Sequence, residues 1–163
     1  MISVSLNEIY SETYKALRSV KIEWSLAKDC ANKAKWLAQH DQYFLGSILK
    51  TADLYKNKEI SISINKNTNK KPLATALVGL LLVEYVSEKK ITWGGYVDSS
   101  KFLLAAMGII AKEQQINLIL ENEQKDITAF TKDKAIYVNT NLDTNVPSYF
   151  FLRTYDFIKK KKY

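Results

Sequence analysis

The stretch SLNEIYSETYKALRSVKIEWSLAKDCANKAKWLA, residues 5–38, is the most regular part of this 163-residue chain. Its apolar residues recur at intervals of three and four, which predicts two consecutive amphipathic helices. Ser5 and Glu8 have the spacing of a capping box, so we expect the first helix to begin at Ser5 and to end at about Ser19. Ser25 is the candidate N-cap of the second helix.

The buried face of the second predicted helix consists mostly of small residues. Small side chains let two helix backbones approach closely, so we expect this helix to pack tightly against the first as a helical hairpin. The face is formed by Leu26, Ala27, Cys30, Ala31, Ala34, Leu37 and Ala38.

Helices and strands alternate in the rest of the chain. Periodicity predicts a third helix within residues 42–55, a half-buried strand over 60–64 and a helix over 73–86 that is apolar nearly all round. The remaining predicted elements are a short strand at 91–93, a helix that begins at Asp98 or Ser99, three strands within 116–139 arranged as an antiparallel meander, and a last helix over 148–160.

This order predicts an α+β fold, in which an N-terminal helical hairpin or three-helix unit packs on an antiparallel or mixed sheet with two further buried helices. Neither a repeat nor a linker interrupts the pattern. We therefore expect residues 1–163 to form a single domain, a length at which one core is the usual arrangement.

Lysine supplies almost all of the net charge of +7, since Arg18 and Arg153 are the two arginines of the chain. The planar guanidinium of arginine is the usual group for recognising phosphate and guanine. A basic chain this poor in arginine argues against specific nucleic-acid binding. We interpret the four lysines at 159–162 as a solvated tail.

The single cysteine and the single histidine limit the available chemistry. Cys30 excludes an internal disulfide and is typical of a reducing cytoplasm, and its place on the small-residue face indicates a buried thiol. His40 lies at a predicted helix end, where a cation favours the helix dipole. We expect no metal site, no cofactor and a cytoplasmic location, and the apolar run at 72–86 is shorter than the about 20 residues of a membrane span.

Gly94 and Gly95 follow a short predicted strand and precede a helix start. Such a place can bind an anion through backbone amides, but no phosphate-loop motif is present. A turn, or a close approach of another part of the backbone, is the preferred interpretation.

The polar face of the first helix carries the most informative candidate site. In one interpretation Arg18 pairs with Glu8 or Asp29 and joins the two helices. In the other, cations of this face converge with Arg153 on a carboxylate or phosphate ligand. The candidate ligand-binding residues are Asn7, Glu8, Lys15, Arg18, Asp29, Arg153 and Tyr155.

Several of these positions resemble the motifs of a bacterial family of unknown function. Members of that family open with S-L-N-E, continue with a K-A-x-R-like step, a W-G-L-A-E-E-A-like motif and R-W-L, and carry R-T-Y near the C-terminus. The similar residues here are Ser5–Glu8, Lys15, Ala16, Arg18, Trp24, Ala27, Asp29, Ala31, Ala34, Trp36, Leu37 and Arg153–Tyr155.

The chain also departs from that family pattern. Ser25 stands where the family usually has glycine, Asp29 stands where it has glutamate, and the sequence after Tyr155 differs. The family has no agreed activity, so the resemblance implies positions to test and no reaction.

Taken together, these features predict a non-catalytic cytoplasmic accessory or small-ligand-binding protein that forms a homodimer or binds a protein partner. The alternative is a small metabolic enzyme that acts on an anionic metabolite, with the candidate residues holding or polarising the substrate. The sequence leaves open which of the two is right.

Overall fold

The computed structural model describes residues 4–40, 43–64, 71–123, 127–130, 135–137 and 148–154. In chain order the elements are helix α1 (Leu6–Ser19), helix α2 (Trp24–Gln39), helix α3 (Leu45–Lys56), helix α4 (Thr75–Lys89), strand β1 (Trp93–Val97), helix α5 (Ser100–Gln114), and strands β2 (Leu118–Asn122), β3 (Ile127–Phe130), β4 (Ala135–Tyr137) and β5 (Ser148–Thr154).

Helix α1 begins with the predicted capping box. The Ser5 hydroxyl accepts from the Glu8 amide at 3.2 Å, and the Glu8 carboxylate accepts from the Ser5 amide at 2.7 Å. These two bonds satisfy backbone donors that the first turn of a helix leaves free. The buried face of α1 includes Thr13 and Leu17, and it packs against α2 to form the predicted hairpin.

Helix α2 begins two residues earlier than predicted. Its N-cap is Glu23, whose carboxylate accepts from the Leu26 amide, and Ser25 lies within the helix. The Ser25 hydroxyl donates to the same Glu23 carboxylate, so the longer acidic side chain reaches the free amide and Ser25 supports it. The predicted N-cap at Ser25 is therefore wrong, whereas the small-residue face is confirmed by the complete burial of Ala27, Cys30, Ala31 and Ala34.

The third helix is confirmed as α3, but the strand predicted at residues 60–64 is wrong. Only Ser61 forms a bridge there, to Leu73, and Leu73 forms the next bridge to Val97 of β1. Strand alternation would place Ile60 and Ile62 on the same face, but Ile60 is 8% exposed and Ile62 is 48% exposed. The extended neighbour of this segment at Leu73 is short, so a ladder longer than one bridge does not form.

Helices α4 and α5 form the centre of the molecule. Helix α4 is buried on most of its surface, as its apolar sequence predicts, and α5 has Ser99 as its N-cap. Both helices end in a left-handed residue, Lys90 after α4 and Gln115 after α5, each of which donates its amide back to the last turn. This αL ending is a common way to stop a helix.

The five strands form one antiparallel sheet in the order β1-β5-β2-β3-β4. The predicted meander is confirmed as β2, β3 and β4, which pair in sequence order. The last strand of the described residues, β5, lies between β1 and β2.

The helix predicted over residues 148–160 is wrong for the part that is described, since Ser148–Thr154 is the strand β5. Phe150 and Leu152 face the core and are at most 2% exposed, while Phe151 and Arg153 face away from it. This alternation, with aromatic residues that favour strands, outweighs the helical pattern expected from the sequence. Residues 155–160 lie outside the described part.

Gly94 and Gly95 lie inside β1, so the predicted turn is wrong, and the atoms that approach the two glycines belong to side chains and not to another part of the backbone. A Cβ at Gly94 would lie 2.9 Å from the Tyr149 hydroxyl oxygen, and a Cβ at Gly95 would lie 2.7 Å from the Trp93 ring. The glycines make room for aromatic side chains of β5 and of β1 itself.

The elements are arranged in layers, from the α1–α2 hairpin through α4 and α5 to the sheet. Helix α2 packs on α4 and α5, and these two contact strands β5 and β3. The predicted α+β class, with helices on an antiparallel sheet, is confirmed. In the described ranges no helix is long and apolar enough to cross a membrane.

Candidate functional site

A groove of about 330 Å³ lies between α2, α4 and α5. Its size is in the lower range of small-molecule sites. The floor is apolar and the rim is polar, an arrangement suited to holding an amphipathic molecule. The lining residues are Asn32, Lys35, Trp36, Gln39, Leu80, Glu84, Ile109, Ile110 and Glu113.

The indole of Trp36 reaches from α2 to α5 along this groove. A Cβ at Gly108 of α5 would lie 2.4 Å from Cζ2 of the indole, so the ring occupies the space above the glycine. The His40 ring stacks on Trp36 with 3.8 Å between centroids, and its Nδ1 lies 2.8 Å from the Trp36 carbonyl oxygen. These contacts hold the indole in one orientation at the groove.

The wall formed by α4 and α5 is acidic. Burial raises the pKa of the Glu84 carboxyl, and the negative charges of Glu88, Asp29 and Glu113 raise it further. Burial likewise raises the pKa of Asp29, against a lowering by the Lys33 charge. The groove therefore presents one partly desolvated carboxylate, Glu84, near the exposed Glu113, and the two charges repel each other, a situation that a bound cation relieves.

The wall formed by α2 carries the opposite chemistry. Lys35 supplies a cation, and Asn32 and Gln39 supply amide donors and acceptors. No ion pair joins Lys35 to Glu84 or Glu113; across the described ranges, Lys15 with Glu12 is the ion pair that forms. Two carboxylates against one ammonium leave the groove acidic within a chain of net charge +7.

A buried lysine joins α2 to the first turn of α4 behind the groove. Lys33 is 0% exposed, and its Nζ donates to the Thr75 carbonyl oxygen at 2.9 Å. A Cβ at Gly79 would lie 3.5 Å from this Nζ, so the glycine leaves space for the ammonium. Burial lowers the pKa of Lys33 to about 8, while the charges of Cys30, Asp29 and Asp98 act in the opposite direction.

Asp98 is the second buried charged residue of the described core. Its Oδ1 accepts from the Thr75 amide at 2.9 Å, and its Oδ2 accepts from the Thr51 hydroxyl at 2.8 Å. Asp98 thereby joins α3 to the start of α4, where the helix dipole favours a carboxylate. Burial raises the pKa of Asp98, and the bonds from Thr51 and Thr75 lower it.

The hydroxyl of Thr75 lies within hydrogen-bond distance of two acceptors. It is 2.9 Å from Asp98 Oδ1 and 2.6 Å from the Ser99 carbonyl oxygen. One hydroxyl proton serves one acceptor at a time. A proton on Asp98 would satisfy both contacts, since Asp98 would then donate to Thr75 and Thr75 to Ser99.

Cys30 lies in the same interior and has no exposed surface. Burial raises the pKa of its thiol to about 12. A thiol in this state is a weak nucleophile, which agrees with the structural role expected from the sequence.

Three of the four predicted site residues of α1 take part in local contacts. Glu8 belongs to the capping box, Lys15 pairs with Glu12 at 3.4 Å, and Arg18 Nη1 donates to the Ile22 carbonyl oxygen at 2.8 Å. Arg18 thus forms neither of the expected ion pairs, with Glu8 or with Asp29. Its hydrogen bond to Ile22 stabilises the turn between α1 and α2 instead. Asn7 is exposed on the same helix.

The other predicted site residues lie on different elements. Asp29 lies on α2 and interacts through its charge with Glu84 of the groove. Arg153 is exposed on β5, and no hydrogen bond between described residues joins it to Arg18. Tyr155 lies outside the described residues.

The sequence interpretation missed Lys33 and the groove, and it identified Asp98 only as a candidate helix start. Lys33 stands three residues after Cys30 and four before Leu37, which is the spacing of the buried face. This position was the available signal, since a lysine in a buried stripe needs a partner. The groove had no such signal, because α4 and α5 supply half of it from distant parts of the chain.

No group of three or more metal-ligating side chains is present in the described ranges. In comparisons with known proteins, no family model matches this chain. No curated protein matches it. No solved structure matches it.

Proposed function

We propose that this chain is a non-catalytic small-ligand-binding protein, and that its ligand is an amine with an apolar body bound in the groove between α2, α4 and α5. The observation that carries the proposal is the combination of an indole floor with two carboxylates on one wall.

The acidic wall favours a cation. Glu84 and Glu113 repel each other, and burial raises the pKa of Glu84. An ammonium between them replaces repulsion with charge-assisted hydrogen bonds, which are shorter and stronger than neutral ones. The partly exposed indole of Trp36 lines the same groove and adds apolar contact surface beside the ammonium.

The apolar floor favours a hydrophobic body on the ligand. Leu80, Ile109 and Ile110 line the groove beside Trp36. Burying apolar ligand surface there contributes roughly 25 cal/mol per Å² before the entropy of binding is subtracted. Asn32 and Gln39 on the α2 wall can then orient a polar substituent.

This ligand class differs from the anion considered in the sequence analysis. Arg18 already donates to Ile22, and Lys15 already pairs with Glu12, so these two candidate cations have partners. The other expectations from the sequence stay predictions: the resemblance to the uncharacterised family, the accessory role, the homodimer and the cytoplasmic location. The alternative of an enzyme that acts on an anionic metabolite also stays a prediction.

A thermal-shift experiment with a pair of probes tests the proposal. Phenethylamine carries an ammonium and 3-phenylpropionate carries a carboxylate on a similar body. At about ten times its Kd, the amine should raise the melting temperature by about 3 to 6 °C, and the acid should not.

Matched variants assign the effect to the groove. Glu84→Gln combined with Glu113→Gln should abolish the shift with phenethylamine. Glu59→Gln, at an exposed glutamate outside the groove, should leave it unchanged. An equal shift with both probes, or no shift with either, would overturn the proposal.

A further inference from the structure

The face of the sheet that points away from α4 and α5 carries a row of aromatic residues. We call Tyr96, Tyr149, Phe151 and Arg153 the aromatic face. In β5 these residues alternate with Phe150 and Leu152, which are buried under the helices. The aromatic face therefore lies opposite the core.

Backbone register brings the aromatic residues together. Tyr96 of β1 stands opposite Tyr149 of β5, with ring centroids 5.1 Å apart, and Tyr149 lies 5.2 Å from Phe151. Gly94 stands opposite Phe151, and a Cβ there would lie 3.2 Å from its ring and 2.9 Å from the Tyr149 hydroxyl oxygen. The absent side chain at Gly94 lets the two β5 rings lie along the sheet.

These rings remain accessible. Tyr96 is 39% exposed and Phe151 is 40% exposed, which is an unusual amount of aromatic surface to leave in contact with solvent. Because neighbouring rings hold one another edge to face, little side-chain freedom is left to lose when a flat molecule stacks on them.

Positive charge lies at one end of the aromatic face. Arg153 is exposed on β5, two residues beyond Phe151 and on the same side of the strand. Lys89 and Lys90 are exposed just before β1, at the end of the sheet where β5 finishes. Glu121 of β2, opposite Phe151, is the one half-buried carboxylate on this side of the paired strands β1, β5 and β2.

We propose that the aromatic face binds single-stranded nucleic acid, with bases stacked on Tyr96, Tyr149 and Phe151 and the phosphate backbone near Arg153. Partly exposed rings that neighbour cations, in a chain of net charge +7, supply the stacking surface and the positive charge that a base and its phosphate require. The low arginine content argues against reading base edges in a duplex, but stacking needs ring faces and any cation. This site is independent of the groove.

Fluorescence anisotropy with a labelled oligothymidine of about 15 nucleotides tests the proposal. Phe151→Ala and Tyr149→Ala should each weaken binding about 5- to 100-fold without changing its salt dependence, because they remove stacking. Arg153→Ala should reduce the slope of log K against log salt by about 0.7, the value for one phosphate contact on a single strand.

Control variants distinguish stacking from general charge. Tyr43→Ala removes a ring that is 69% exposed on another surface, and Lys112→Ala removes an exposed cation of α5. Tyr43→Ala should leave affinity unchanged, and Lys112→Ala should leave the salt slope unchanged. Circular dichroism verifies that each variant is folded.

Three outcomes would overturn the proposal. The first is no anisotropy change at about 100 µM protein in low salt. The second is binding that Phe151→Ala and Tyr149→Ala leave intact, or that polyglutamate displaces as well as unlabelled oligothymidine does. The third is a dimer in light scattering that Phe151→Ala dissociates, which would assign the face to a second copy of the chain.

Discussion

The Lys33 ammonium on α2 donates to the Thr75 carbonyl oxygen in the first turn of α4, with 2.9 Å between the two atoms. The side chain is 0% exposed, and this is its one hydrogen bond within the described residues. A buried ammonium with one acceptor is strained by desolvation, so its protonation state should affect stability.

The titration of Lys33 should be visible in the pH dependence of the free energy of unfolding. Its pKa is about 8 in the folded state and 10.5 ordinarily, so the unfolded state binds more protons between these values. Lys33 therefore adds stability as the pH rises, by about 1 kcal/mol from pH 7 to 9. The Cys30 thiol, whose pKa is raised from 9.0 to about 12, acts in the opposite direction above pH 9, so the rise is measured below that pH. Urea unfolding at a series of pH values measures it.

Lys33→Met removes the ammonium at similar volume and should flatten this rise. The variant should also be more stable than the wild type at pH 7, since a buried charge is replaced by an apolar group. Lys28→Met, at an exposed position of the same helix, is the control and should keep the rise. Parallel curves for the wild type and Lys33→Met would contradict the assignment.

Asp98 should be a major contributor to stability. Asp98→Ala leaves the Thr75 amide and the Thr51 hydroxyl without their buried acceptor, and we expect a loss of about 3 kcal/mol. Asp98→Asn keeps an acceptor and the shape, so its effect should be smaller. Asp53→Ala on the exposed face of α3 is the control, and an equal loss in both alanine variants would show that the buried network is unimportant.

The position of the Trp36 indole should require glycine at position 108, because the ring leaves no room for a larger residue there. Alanine usually stabilises a helix by about 1 kcal/mol relative to glycine, but here its Cβ would lie 2.4 Å from Cζ2 of the ring. We expect Gly108→Ala to destabilise the protein by about 1 to 2 kcal/mol and to shift the tryptophan emission.

The matched control for that variant is Gly46→Ala on α3. A Cβ at Gly46 would have Tyr43 at 3.6 Å, an ordinary contact, so this variant should be neutral or stabilising. If Gly108→Ala and Gly46→Ala change the free energy of unfolding in the same direction, the packing of the Trp36 ring does not require glycine at position 108.

Substitutions along β5 should alternate in effect. Leu152→Ala opens a cavity under α4 and should cost about 3 kcal/mol, whereas Phe151→Ala on the outer face should cost less than about 1 kcal/mol. Denaturant unfolding of the two variants measures the difference. A helical pattern, in which Phe151 matters as much as Leu152, would contradict the strand.

The sequence predicted features that depend on neighbouring residues. The capping box of Ser5 and Glu8, the small-residue face of α2 and the meander of β2 to β4 all follow from local spacing. The helix predicted at 148–160, which is wrong over residues 148–154, shows the limit of such patterns. Residues 148–154 form a strand because β1 and β2 flank them, and neither is close in sequence.

The candidate site could be predicted only in part. Asp29 was identified and interacts with Glu84 through its charge, but the predicted polar face of α1 forms local bonds. Lys33 had the spacing of a buried residue, yet its acceptor Thr75 is 42 positions away. No local pattern indicates that separation, and the groove depends on the same long-range packing of α2 on α4 and α5.

The most direct test of amine binding in the groove is an NMR titration that follows the indole N–H of Trp36. The resonance is assigned by its loss in Trp36→Phe, and phenethylamine and 3-phenylpropionate are added in turn. We predict a saturable shift with the amine, a much smaller one with the acid, and no saturable shift in the Glu84→Gln, Glu113→Gln double variant. An indole resonance that the amine leaves unmoved, or that both probes move equally, would contradict the proposed function.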